Sequence, residues 1–210
     1  MKVSSKRVVL MALAAATLAT GLSACVPLVV GSGFAGGVLV AIDRRTSGAQ
    51  LEDQGIELRG GNRLKDTLGE GAHVNVTSYN RQVLLTGEVA RTEDIQRAEQ
   101  IIARVENVNS VVNDLVVGIP STLTQRSTDT LITSKVKASL IDAKDLQANA
   151  FKVITERNVV YLMGRVTPRE ANRATEIARG VKDVTKVVRV FETLTEEELA
   201  RLNQQQQPAK

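Results

Sequence analysis

Two stretches of the chain carry the same alternation of apolar and polar positions. Val74 to Val89 reads VNVTSYNRQVLLTGEV, and Phe151 to Val166 reads FKVITERNVVYLMGRV. Val76, Val83, Leu85 and Gly87 meet Val153, Val160, Leu162 and Gly164 at an offset of 77 residues. Ala98, Ile101, Val105, Val108 and Val111-Val112 then meet Ala174, Ile177, Val181, Val184 and Val187-Val188 at an offset of 76, one residue having been lost in the loop between. A period this long with two copies signals a duplicated small domain, not a solenoid.

Within each copy, period-2 alternation predicts a strand around Val74 and Val76, or Phe151 and Val153. A short turn (Tyr79 to Gln82; Glu156 to Asn158) closes a hairpin, and the second strand ends at Gly87 or Gly164. These glycines read as positions that need positive φ or close packing, not as ligand sites. The apolar spacing then becomes helical: Ile95, Ala98, Ile101-Ile102 and Val105 in one copy, Ala171, Ala174, Ile177-Ala178 and Val181 in the other. A last strand covers Val108 to Val117 and Val184 to Val190. A further helix precedes each hairpin. In the second copy it runs from about Thr130 to Ala143, with Thr128 or Asp129 as N-cap. In the first, Gly60-Gly61 interrupt the pattern around Leu64 and Leu68. The fold class is α+β: two tandem α-β-β-α-β domains, each a small three-stranded mixed sheet packed on two helices. Units of about 60–65 residues have marginal cores, so the copies are expected to pack on each other.

The N-terminus follows a different pattern. Lys2, Lys6 and Arg7 precede an apolar run, Val8 to Ala19, of 12 residues. A membrane span needs about 20, whereas a secretory signal needs about this many. Leu22-Ser23-Ala24-Cys25 then resembles the bacterial lipobox. That resemblance implies cleavage before Cys25 and acyl chains on its sulfur and amino group, more than one chain giving stable anchoring. Val26, where the related sorting pattern has Asp for inner-membrane retention, implies the outer membrane, facing the periplasm. Residues 1–24 are thus a signal peptide and 25–50 a lipid anchor and linker. Within that stretch, 26–42 is apolar and Gly-rich, and Asp43 to Gly48 is turn-like. The domains occupy 51–120 and 121–194. Residues 195–210 form a flexible C-terminal tail, with a short helix over Glu196 to Leu202 before the low-complexity NQQQQPAK.

Composition narrows the chemistry. The one Cys is claimed by the anchor, and with a single His the 210-residue chain is expected to hold no Zn site, disulfide, or Cys/His or Ser/His relay. Aromatics at 2% are too few for a base-stacking platform. The net charge of +4 loses Lys2, Lys6 and Arg7 with the signal, leaving +1, so global charge does not point to nucleic acid. His73 precedes a strand with no acidic partner near it in sequence and reads as a surface residue. There is no P-loop, and GSGFAGG at 31–37 follows no strand. No catalytic residue, metal or cofactor is expected.

The repeated units, with VLLTGEV and VYLMGRV before the second helix, resemble BON domains. Two of them behind a lipobox resemble the dual-BON-domain outer-membrane lipoproteins. DRRTSGAQLEDQGIE, VNVTSYNRQVLLTGE and DTLITSKVKASL lie where that family has similar strings. Gly60-Gly61, the tail after Phe191, and Leu131 in place of a Trp depart from its pattern. The resemblance implies a non-enzymatic protein, anionic-phospholipid binding by the second domain, and a role in outer-membrane integrity. The competing reading is an adaptor for outer-membrane assembly or cell-wall remodelling proteins.

Two features of the residues bear on the lipid reading. Residues 59–118 hold seven basic and eight acidic residues, and residues 128–193 hold twelve and eight, so the positive charge lies in the second copy. In the Thr130–Ala143 helix, Ile132, Val136, Ser139 and Leu140 form a core face. Leu131, Ser134, Ala138 and Ile141 fall on another, flanked by Lys135 and Lys137. An apolar stripe beside lysines is the pattern of an interfacial helix; the alternative is that Leu131 and Ile141 pack on the first domain or the linker. Phe191 is added from its match to an aromatic at the family's lipid-contacting edge.

Overall fold

The computed structural model describes residues 43–69 and 71–205. The signal peptide, Cys25, segment 26–42 and residues 206–210 lie outside them. The elements are α1 (Ser47–Leu68), β1 (His73–Tyr79), β2 (Gln82–Val89), α2 (Thr92–Ala103), β3 (Ser110–Val117), α3 (Leu123–Asp142), β4 (Phe151–Glu156), β5 (Val159–Val166), α4 (Pro168–Arg179), β6 (Lys186–Thr193) and α5 (Glu196–Gln205). The α-β-β-α-β order therefore occurs twice. Each sheet has its middle strand (β2 or β5) antiparallel to the first and parallel to the third.

The middle strands are buried on both faces, which their near-continuous apolar sequences allow. One face of each sheet carries the helices. Val83, Leu85 and Val89 share a core with Ile56, Leu64, Ala98 and Ile102, and Val160, Leu162 and Val166 with Ile132, Val136, Leu140 and Ala174. The opposite faces meet: Tyr79 and Leu84 form one cluster with Tyr161, Met163 and Val190. Polar bonds cross the same junction, from the Tyr161 hydroxyl to Asp114 (2.6 Å), from Asn80 to Glu192 (2.6 Å) and from Lys152 to Glu57 (2.7 Å). The two small domains thus share the burial that neither supplies alone.

Several boundaries differ from the sequence expectation, each for a local reason. Gly60-Gly61 does not break α1. Gly60 is buried, and a β-carbon there would stand 2.7 Å from Ile102 Cδ1 and 3.3 Å from Val76 Cγ1. The glycine admits two core side chains, and its helix cost of about 1 kcal/mol is carried by a helix that also buries Ile56 and Leu64. α3 begins at Leu123, not near Thr130, because Thr122 caps it by accepting the Gln125 N–H at 3.2 Å. Asp129 is not a cap. Its buried carboxylate accepts the N–H groups of Arg157 and Asn158, at 2.9 and 2.8 Å. Asp53 does the same for Asn80 and Arg81, at 2.7 and 2.8 Å. All four turn residues have positive φ, as a two-residue hairpin loop of this twist requires, and each aspartate clamps a helix to the turn behind it.

Asp43 to Gly48 is not a free linker. The buried Arg44 guanidinium donates to both Glu170 oxygens, at 2.7 and 2.8 Å, and to the Arg165 carbonyl at 2.8 Å. β2 and β5 run two residues past Gly87 and Gly164, which sit inside the strands. Beta-carbons there would meet the carbonyl oxygens of His73 and Ala150 at 2.0 and 2.4 Å. Finally, α5 runs past Leu202 to Gln205, started by a capping box between Thr195 and Glu198.

Candidate functional site: the outer face of α3

The long helix of the second domain buries Ile132, Val136 and Leu140. At about 100° per residue the opposite face carries Leu123, Ser127, Leu131, Ser134, Ala138 and Ile141. All six are exposed, Leu123 by 80%, Leu131 by 61% and Ile141 by 68%. Leu131 and Ile141 therefore do not pack on the first domain. The stripe runs about 27 Å along the helix. Leu123 and Ser127 escaped the sequence reading because the helix start was set too late; the Thr122 cap was the available signal. Nearby, Ile119 is exposed by 91% in the connection between the domains.

Cations flank the stripe. Lys137 and Arg126 lie on one side. Lys135, on the other, is half-exposed and 3.5 Å from Asp183. A cavity of about 370 Å³ beside the helix is lined by Lys137, Leu140, Ile141, Phe151 and Asp43. The described chain thus enters the fold next to Ile141, and Arg44 fixes that entry on α4 through Glu170. The Glu170 carboxyl is held below its usual range: burial pushes it up, but the Arg44 guanidinium and the Thr167 N–H outweigh burial.

Phe191 is half-buried. Gly164 pairs with Phe151 on one side and Phe191 on the other, and the two rings meet edge-to-face over it, with centroids 6.0 Å apart. Its ring is shared with the core of the second domain, so less of it faces solvent than of Leu131 or Ile141.

His73 does have an acidic partner. Its Nδ1 lies 3.1 Å from Glu88, which faces it in the β1–β2 register. Glu156 of β4 completes a group whose ligating atoms all lie within 4.8 Å of one another. Topology brings these residues together, and sequence spacing shows none of it. Among the described residues, no helix is long and apolar enough to cross a membrane.

The sequence profile of the BON domain matches residues 53–119 and 128–194. The chain is 37% identical over 175 residues to the outer membrane lipoprotein DolP of Haemophilus influenzae, covering 82% of this chain and 90% of that one. It is 36% identical over 152 residues to a 21 kDa hemolysin of Actinobacillus pleuropneumoniae, covering 71% and 78%. Over 60 residues it is 40% identical to the osmotically-inducible protein Y of Escherichia coli, covering 28% and 30%.

Proposed function

Since this chain belongs to the BON-domain family and is of the two-copy DolP type, we propose that it is a non-enzymatic outer-membrane lipoprotein whose second domain binds anionic phospholipid. Cys25 carries the lipid anchor, the protein faces the periplasm, and its binding supports envelope integrity. The observation that carries the reading is the exposed stripe of α3, with Leu123, Leu131 and Ile141 on one face and lysines beside it. Full burial of a Leu or Ile side chain contributes about 1.5–3 kcal/mol, and each basic residue near an anionic surface about 1 kcal/mol. Three partly inserted apolar residues and two or three cations give a moderate, salt-sensitive affinity.

The test is flotation of the Cys25→Ser protein with vesicles of phosphatidylcholine alone or with phosphatidylglycerol. Flotation with the anionic vesicles only, weakening from 50 to 300 mM salt, is expected. Equal flotation with both, or with neither, overturns the reading. A second reading, docking of an envelope protein on the first domain, is favoured by Leu51 and Leu58, exposed by 69% and 67% on α1.

A further inference from the structure

The junction between the two domains holds a second constellation that lipid binding does not use. His73 opens β1, Glu88 lies opposite it on β2, and Glu156 closes β4 of the other domain. One ring nitrogen and one oxygen from each carboxylate fall within 4.8 Å of one another. Glu88 is 2% exposed and Glu156 is 6% exposed. Buried carboxylates of this kind need a compensating cation or a full set of donors.

The contacts present orient both carboxylates, with His73 Nδ1 3.1 Å from Glu88 Oε2, and leave one Glu156 oxygen unsatisfied. The Ser121 N–H donates to Glu88 Oε2 at 3.1 Å, and the Asn75 amide donates to Glu156 Oε2 at 2.6 Å. The other Glu156 oxygen, Oε1, is buried with no hydrogen-bond partner. Arg157 stands with Nε 4.0 Å from Glu88 Oε1, beyond hydrogen-bond reach, and is itself nearly half exposed. The oxygens of Asp129, behind Glu156, hold the hairpin N–H groups.

We propose that His73, Glu88 and Glu156 form a divalent transition-metal site, with zinc as the fitting ion, that joins the two domains. An imidazole nitrogen with two carboxylate oxygens is a zinc donor set. Zinc bonds of about 2.0–2.2 Å place ligands about 3.3 Å apart around a tetrahedral ion, so atoms within 4.8 Å converge by side-chain rotation. The Ser121 and Asn75 bonds are the outer contacts that hold ligating carboxylates in place. A cavity of about 500 Å³ lined by His73, Asn75 and Glu156 admits a water as fourth ligand. Two carboxylates neutralise the ion and relieve each other. Because Glu156 belongs to the second domain and the other ligands to the first, an ion bound here ties the domains together.

The chain has one histidine, so a single imidazole reports on the site. The experiment uses tag-free full chain carrying Cys25→Ser, stripped with chelator and titrated with zinc chloride. Calorimetry gives the stoichiometry, and the His73 ring resonances give the location. One zinc per chain is expected, with a large shift of the His73 Nδ1 resonance and a rise in Tm. His73→Ala and Glu156→Gln should each bind at least tenfold more weakly and lose the Tm rise. Glu156→Gln keeps the shape and the Asn75 contact, and its melt without zinc checks that it folds. Absence of zinc binding would mean that the group shares protons only, and the proposal falls. Zinc binding that leaves the His73 resonances in place, or that survives in both variants, places the ion elsewhere and overturns it equally.

Discussion

α1 and α3 are the same element of a duplicated domain, and their differences fall on two faces with opposite consequences. On the core side Ile56, Gly60 and Leu64 stand where Ile132, Val136 and Leu140 stand 76 residues later. Gly60 in place of Val136 leaves room that Ile102 and Val76 fill, so one core position is occupied by different residues in the two copies. On the solvent side the apolar positions are exchanged only in part, with exposed Leu51 and Leu58 standing where α3 has Ser127 and Ser134. The positions of Leu123, Leu131, Ala138 and Ile141 are taken in α1 by Ser47, Gly55, Asn62 and Lys65. Lys137 is replaced by Gly61, and α1 has Glu52 and Glu57 where α3 has Thr128 and Thr133. Residues 47–117 hold seven basic and eleven acidic side chains, net −4, against thirteen and eight in 123–193, net +5. Duplication kept the buried face by exchanging volumes, whereas on the exposed face the apolar residues changed position and the charge reversed sign.

The largest expected effect comes from reversing the core exchange. Val136→Gly removes a fully buried side chain from the second core, and it adds a helix glycine. A loss of about 4 kcal/mol is expected. Gly60→Val forces Ile102 aside and should cost about 1–3 kcal/mol by overpacking. Denaturant unfolding of both variants checks the pair; equal small losses would mean that the two cores are not the counterparts described.

A smaller difference separates the two hairpin clamps. Asp53 holds the Ser78 hydroxyl (2.7 Å) and the Arg45 guanidinium (2.8 Å) besides its turn, whereas Asp129 holds the turn alone. Burial pushes the Asp53 carboxyl up, but the Ser78 hydroxyl, the Arg81 N–H, the Arg45 guanidinium and the Asn80 N–H together hold it below the ordinary value. Its stabilisation is therefore complete above the unfolded value of about 3.9 and is lost as pH falls through the depressed folded value. Asp53→Asn should cost about 2–3 kcal/mol at pH 7, more than Asp129→Asn. Its deficit should shrink as acid protonates the wild type. Urea midpoints from pH 7 to 3 test this; a deficit independent of pH would refute it.

The smallest effect on stability should accompany the largest on binding. Ile141→Glu and Leu58→Glu both alter exposed residues, and each should change stability by about 0.5 kcal/mol or less. Only Ile141→Glu should abolish flotation with anionic vesicles. If Leu58→Glu is equally damaging, the membrane face spans both helices and the contrast between them is gone.

The duplication, the strand order and the exposed face of α3 were legible because each rests on a period: two residues in the strands, about 3.6 in the helix, and 76–77 between the copies. The aspartate clamps were not, although Asp53 and Asp129 keep the same spacing. Near a helix start, an aspartate reads as a cap by local rules, and only the fold shows that a hairpin turn lies behind it. Gly60 misled for the same reason. Its local meaning is a break, and the crowding that requires it comes from residues 16 and 42 positions away. The His73 group lay beyond sequence reading because its third member comes from the other domain.

The Arg44–Glu170 pair bears on how strong the membrane contact of α3 must be. Seventeen residues lie between Cys25 and Asp43; however they are arranged, they reach no farther than about 60 Å. With Cys25 anchored as proposed, the helix searches a half-sphere of that radius, and its effective concentration at the bilayer is on the order of millimolar. A headgroup affinity of only about 1 mM, roughly 4 kcal/mol, then suffices to hold α3 on the membrane about half the time. Breaking the Arg44 pair would lengthen the leash and dilute the helix without touching a single lipid-facing residue.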